Sequence, residues 1–227
     1  MKTIKTYLYN ELWADKNWFD KIFMFAMFAL QIGVFIIAPE NPLNIIAGIA
    51  GVISVVLCAQ GKLSFYFIGF VQTISYLFLA WQEHFYGEVL ENIFYLVTMI
   101  WGIYVWKKNM NTTEEGVSTV KAKKFTPLMW ILSIIGTILA SLGMGYILTK
   151  IGSEQAYTDA ATNVMAIFAQ LLMVRRYREQ WIWWIVIDLF CIKLWFVAGN
   201  WSMVAMYIAW TINCIYGWIN WSKESNK

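Results

Sequence analysis

The chain has 227 residues, of which 60% are hydrophobic, 18% aromatic and only 14% charged. A soluble domain carries about 25% charged residues, and here the charges are confined to short gaps between long runs that lack Asp, Glu, Lys and Arg. That pattern, with a net charge of +3, excludes a soluble globular domain and a nucleic-acid binder and leaves a polytopic membrane protein, because a hydrocarbon core about 30 Å thick takes roughly 20 apolar residues of helix.

The first twenty residues mix acidic and basic side chains and have no apolar centre, so no cleavable signal peptide is expected. Spans are predicted at 19–38, 43–60, 63–82, 88–106, 127–149, 159–175, 180–199 and 201–221. Pro39, Asn41 and Pro42 separate the first pair, Gly61-Lys62 the next, and Gly199-Asn200 the last. Pro127 opens the fifth span, where its missing N–H is harmless. The stretch 107–126 is the one long polar segment and is expected to be a solvated cytoplasmic linker. Cys58, Cys191 and Cys214 fall inside apolar runs as small filler, and His84 has no second histidine with which to share a metal. No metal and no cofactor are expected.

Charge placement sets the orientation. With the N-terminus in the cytoplasm, all 17 Lys and Arg residues fall in inner segments except Lys150, which is outside, and Lys193, which lies within a span. The positive-inside rule therefore supports eight spans with both termini cytoplasmic.

Sliding residues 44–108 onto 159–223, an offset of 115, lays spans two, three and four on six, seven and eight. Ile100, Gly102, Trp106 and Lys108 then meet Ile215, Gly217, Trp221 and Lys223. Both three-helix units run the same way only if an odd number of helices joins them, and the fifth span is that joiner. The expected organisation is an N-terminal region with one extra helix (1–42), a first bundle (43–108), the linker (109–126), a joining helix (127–150) and a second bundle (157–222). Parallel repeats of this kind are a transporter plan, with the substrate site near mid-membrane between the halves.

Polar groups at membrane depth are costly and mark cavities or helix contacts. Trp181, Trp184 and Asp188 have i, i+3, i+7 spacing and share one face of span seven. Lys193 lies about 140° further round the helix and is a poor partner for Asp188. Indole rings beside a carboxylate suit a flat cationic ligand. Gln72, Asn92, Thr98, Gln170 and Asn213 are further candidate substrate contacts, supplying the donors and acceptors that ribose hydroxyls need. Each also has a plain alternative role as a helix-to-helix tie. An intramembrane enzyme would need a nucleophile with its base, or a metal cluster, at depth, and the sequence offers neither.

The run from Trp181 to Asp188 resembles the W-x-x-W-x-x-x-[N/D] motif of the PnuC family of vitamin transporters. Ala169 to Trp181, Gly61-Lys62, Tyr86-Gly87-Glu88 and Tyr216-Gly217 resemble that family too. The resemblance covers roughly residues 40–223. It implies a SWEET-like 3+1+3 fold, a homotrimer in the bacterial inner membrane, and facilitated diffusion of nicotinamide riboside, with contacts at Trp181, Trp184 and Asp188. Uptake would become one-way through cytoplasmic phosphorylation of the vitamin, feeding NAD biosynthesis. Asp188 stands where asparagine is frequent among nicotinamide riboside carriers. Thiamine and riboflavin, carried by close relatives, therefore remain alternatives, as does a ligand-binding membrane subunit driven by a separate ATPase.

Overall fold

The computed structural model describes residues 9, 13, 16–37, 42–113, 117–153 and 155–226. Pro39, Asn41, Lys2, Lys5 and Lys227, which enter the expected turns and charge pattern, lie outside the described residues. Eight long helices occur among the described residues: α1 (Trp18–Ile37), α2 (Pro42–Ala59), α3 (Ser64–Gln82), α4 (Tyr86–Lys107), α5 (Pro127–Lys150), α6 (Ala156–Val174), α7 (Gln180–Val197) and α8 (Trp201–Ser225). The predicted spans match these to within a few residues.

Six of the eight, α1 to α5 and α7, are long and apolar enough to cross a membrane. The chain is thus a multi-pass, all-helical membrane protein. The two others carry more polar side chains. Helix α6 begins with Thr158, Asp159, Thr162 and Asn163, and α8 carries Asn213, Asn220 and Lys223.

The chain divides into two compact units, Met1–Lys121 and Ala122–Lys227. In the first, α1 packs on α2, α2 on α3 and α3 on α4. In the second, α5 packs on α6, α6 on α7 and α7 on α8. Helix α5 opens as its sequence predicts: Pro127 sits at the first turn and the Thr126 hydroxyl accepts from Met129 N at 3.4 Å. The Asn200 side chain caps α8 in the same way, accepting from Met203 N at 3.1 Å.

Each unit makes the same turns at a constant offset of 115 residues. After α2, Gly61 N donates to Cys58 O and Lys62 N to Leu57 O, with Gly61 at φ 69°. After α6, Arg176 N donates to Met173 O and Tyr177 N to Leu172 O, with Arg176 at φ 69°. The turns after α3 and α7 correspond likewise, with His84 at φ 61° and Gly199 at φ 72°. These 6→1 and 5→2 bonds are the Schellman closure, which satisfies the last carbonyls of a helix.

Packing repeats with the turns. In the first unit the Tyr66 ring lies against Gly102 and stands edge-on to Trp106, with centroids 5.2 Å apart at 80°. In the second, the Trp181 ring lies against Gly217 and stands edge-on to Trp221, at 5.8 Å and 86°. All four rings are buried. A β-carbon at Gly217 would stand 2.5 Å from the indole of Trp181, so only glycine admits the ring.

The polar linker has more structure than its composition suggests. Strands β1 (Met110–Thr112) and β2 (Ser118–Val120) form an antiparallel hairpin. Val120 N donates to Gly61 O at 2.8 Å, and Lys62, fully buried, reaches Ser118 O at 3.4 Å. Val117, Val120 and Ala122 are buried, so this segment is partly packed and not simply solvated.

Replacing Gly217 by alanine forces the Trp181 ring aside. The expected cost is about 1–3 kcal/mol, read as a lower thermal midpoint of the detergent-solubilised protein. An unchanged midpoint would show that the ring has room to move.

Candidate functional site

Helix α7 is fixed at its start by a charged pair, one partner of which is buried. Glu179 is fully buried and accepts from Arg178 Nε at 3.2 Å, while the Arg178 guanidinium lies 4.8 Å over the ring of Trp218 on α8. Gln180 is also fully buried. These contacts set the rotation of α7 before its apolar run begins.

At about 100° per residue, the faces of α7 then separate. Trp183 and Ile187 turn to α6, packing with Met165, Ala166, Ala169 and Leu172, and Trp183 stands edge-on to Phe168 at 5.3 Å and 87°. Trp181 and Asp188 turn to α8. Trp181 fills the space over Gly217 and beside Trp221. Asp188 is 4% exposed and accepts from the Cys214 thiol at 3.7 Å, beside Thr211, whose hydroxyl donates to Tyr207 O at 2.9 Å. Trp184 lies on the helix between these faces, half-buried against the α6–α7 cluster.

The second unit therefore holds Trp181, Trp184, Asp188, Gln170 on α6 and Asn213 on α8, all turned inward. Lys193 is exposed and does not neutralise Asp188. The three aromatic and acidic positions do different jobs. Trp181 is consumed by packing, whereas Trp184 keeps part of its ring accessible beside a buried carboxylate.

The first unit holds Gln72, Asn92 and Thr98. Gln72 is tied across helices: its Oε1 accepts from Ser54 Oγ at 3.3 Å, and its amide lies against Gly51. Asn92 folds back on its own helix, donating to Glu88 O at 2.7 Å. Thr98 also folds back, donating to Phe94 O and Tyr95 O at 2.9 and 3.0 Å. Glu91, half-buried in α4, accepts from Tyr95 Oη at 2.5 Å.

Sequence reasoning missed Ser54, Thr211 and Cys214 as partners of the candidate residues. The signal was present for two of them: Thr211 and Cys214 are three apart on α8 and so share a face. Nothing in the sequence pairs Ser54 with Gln72, because the contact depends on how α2 crosses α3.

The sequence profile described as nicotinamide mononucleotide transporter matches residues 41–223. The chain is 34% identical over 206 residues to the nicotinamide riboside transporter PnuC of Haemophilus influenzae, covering 90% of each chain. It is 32% identical over 222 residues to the protein of the same description from Neisseria mucosa, covering 94% of this chain and 84% of that one. Among solved structures, the crystal structure of the vitamin B3 transporter PnuC superposes with a TM-score of 0.82 at 31% identity, covering 96% of both chains.

Trp181→Ala opens a void against Trp221 and Gly217. It is expected to cost about 3–5 kcal/mol, visible as a large drop in the thermal midpoint, whereas Trp184→Ala, starting from a half-buried ring, costs less. Equal losses in the two variants would contradict the division of roles on α7.

Proposed function

The chain belongs to the nicotinamide mononucleotide transporter family, and from that membership we propose that it carries nicotinamide riboside across the bacterial inner membrane. The observation that supports this most directly is the buried carboxylate of Asp188 one helical turn from the half-accessible indole of Trp184. An unpaired carboxylate at membrane depth costs roughly 2.5–3.5 kcal/mol on insertion scales. A pyridinium ring answers that cost with its own charge, and its flat face stacks on indole. Gln170 and Asn213 of the second unit are the donors and acceptors assigned to ribose; Gln72, Asn92 and Thr98 of the first unit are retained as candidate substrate contacts. Trp181 contributes by holding α7 in place, with its own ligand contact secondary.

The proposed architecture is SWEET-like: α1 as an extra helix, then a 3+1+3 arrangement of α2–α4, α5 and α6–α8. The repeated turns and the repeated ring-on-glycine packing at an offset of 115 support it. In this reading α6 and α8 also span the bilayer, their polar residues serving the substrate path, and both termini are cytoplasmic. Transport is facilitated diffusion by alternating access, without ion coupling. Phosphorylation of the vitamin in the cytoplasm makes uptake one-way and delivers it to NAD biosynthesis. The working assembly is a homotrimer.

Thiamine is the second reading, because its ring cation suits the same carboxylate. Competition between the two vitamins for the purified protein, followed by tryptophan fluorescence, separates them.

Proteoliposomes holding the protein and no ion gradient are expected to take up labelled nicotinamide riboside. Uptake equal to that of empty vesicles, with the protein folded, defeats the proposal. Trp184→Ala is expected to weaken riboside binding more than a ring-preserving Trp181→Phe. Unaltered affinity in Trp184→Ala would remove the indole from the site.

A further inference from the structure

The first unit supplies an internal control for α7. At the offset of 115 residues, Gln180, Trp184 and Asp188 stand where α3 has Phe65, Gly69 and Thr73. The spacing i, i+4, i+8 keeps each set within about 80° of arc on its helix, with roughly 6 Å of rise between members. The stripe on α3 is built for packing. Phe65 is buried against Tyr66 and Trp106, with ring centroids 3.9 and 4.8 Å away. The Met99 methyl lies against Gly69, and the Thr73 hydroxyl donates to Met99 Sδ at 3.7 Å. Asp188 makes the matching contact in the second unit, to the thiol of Cys214, the counterpart of Met99, also at 3.7 Å. A middle helix of this bundle therefore packs with nothing more polar on this stripe than a threonine hydroxyl.

Gln180 departs furthest from that plan. It is fully buried, and neither its amide oxygen nor its amide nitrogen has a hydrogen-bond partner among the described residues. Buried amides are almost always paired, because an amide stripped of water and left without a partner costs free energy. Phe65 shows that an apolar side chain meets the packing need at this position. The adjacent polar groups do not answer the amide. Glu179 accepts from Arg178 with one oxygen, and its other oxygen is itself unpaired. The Trp181 indole, about 100° further round the helix, lies against Gly217 and Trp221 with its own N–H unpaired.

An amide with both atoms uncommitted, one turn from the half-buried ring of Trp184, matches a ligand that presents a donor and an acceptor side by side. A primary carboxamide does so: its N–H donates to Gln180 Oε1 while its C=O accepts from Gln180 Nε2. On a nicotinamide ring the carboxamide and the charged nitrogen occupy different edges of one flat surface. With that ring stacked on Trp184, the amide edge turns to Gln180 and the charged edge to Asp188.

We propose that Gln180 is a specificity-determining residue of the transport site, pairing with the carboxamide of a nicotinamide-type ligand. The inference rests on the carrier reading above and narrows it from flat cations in general to those that bear an amide.

The test measures binding to the full, detergent-solubilised chain by calorimetry. It uses two ribosides of the same charge: nicotinamide riboside, and 3-acetylpyridine riboside, in which a methyl group replaces the amide nitrogen. The parent is expected to bind the first about tenfold or more tightly, because the second leaves a buried acceptor unpaired. Gln180→Met and Gln180→Leu remove both polar atoms and keep an apolar side chain in place. In each, the two affinities should converge through loss of nicotinamide riboside binding. Their ligand-free thermal midpoints should equal or exceed the parent's, since an unpaired amide has left the interior. Equal affinity of the parent for the two ribosides overturns the assignment and leaves the carrier reading standing. A preference that survives in either variant overturns it as well. If the parent binds neither riboside, the carrier reading falls and takes this inference with it.

Discussion

A ring laid across a glycine sets the geometry on which the rest depends. In each unit an aromatic side chain near the start of the middle helix presses on a glycine of the next helix, with a tryptophan one turn further on standing edge-on to it. Glycine lets the backbones close, and the ring fills the space. The pair fixes the rotation of one helix on another. In lipid this matters more than in water, since apolar burial between helices yields little where the solvent is itself apolar. Close packing and polar ties must do the work.

From that lock follows the character of α7. With Trp181 turned to α8, the helical period sends Trp183 and Ile187 to α6 and leaves Trp184 between. The carboxylate of Asp188 then falls against α8, where it accepts from the Cys214 thiol, a weak and neutral donor. A fully paired Asp188 would be a structural tie. This carboxylate keeps only a weak, neutral partner beside a half-buried indole. In the first unit the polar residues behave otherwise. Asn92 and Thr98 return their hydrogen bonds to their own helix, and Gln72 reaches across to Ser54.

The turns of the two units match as the packing does. Backbone closure is identical after α2 and after α6, yet the side chains diverge from glycine to arginine. The linker meets both turns through main-chain bonds, Val120 to Gly61 in one unit and Lys123 to Arg176 in the other. The two turns thus share one hydrogen-bonding frame, which satisfies the last helical carbonyls, and differ in side-chain chemistry.

Much of this was legible in the sequence. The length and apolarity of the runs placed all eight helices, because a bilayer permits only helices that satisfy their own backbone. Pro127, Gly61 and Gly199 marked the turns through their fixed or permissive φ. The i, i+3, i+7 spacing put Trp181, Trp184 and Asp188 on one stripe. Periodicity cannot say which neighbour each part of a stripe meets. Only tertiary structure assigned Trp181 to packing against Gly217, gave Asp188 its partners on α8, and tied Gln72 to Ser54. The hairpin in the linker was equally invisible: its hold comes from Gly61 and Lys62, far earlier in the chain, with Lys62 separated from Ser118 by 56 residues. Local pattern reports a segment's own backbone and its average solvent, whereas contacts between distant segments arise only when helices cross.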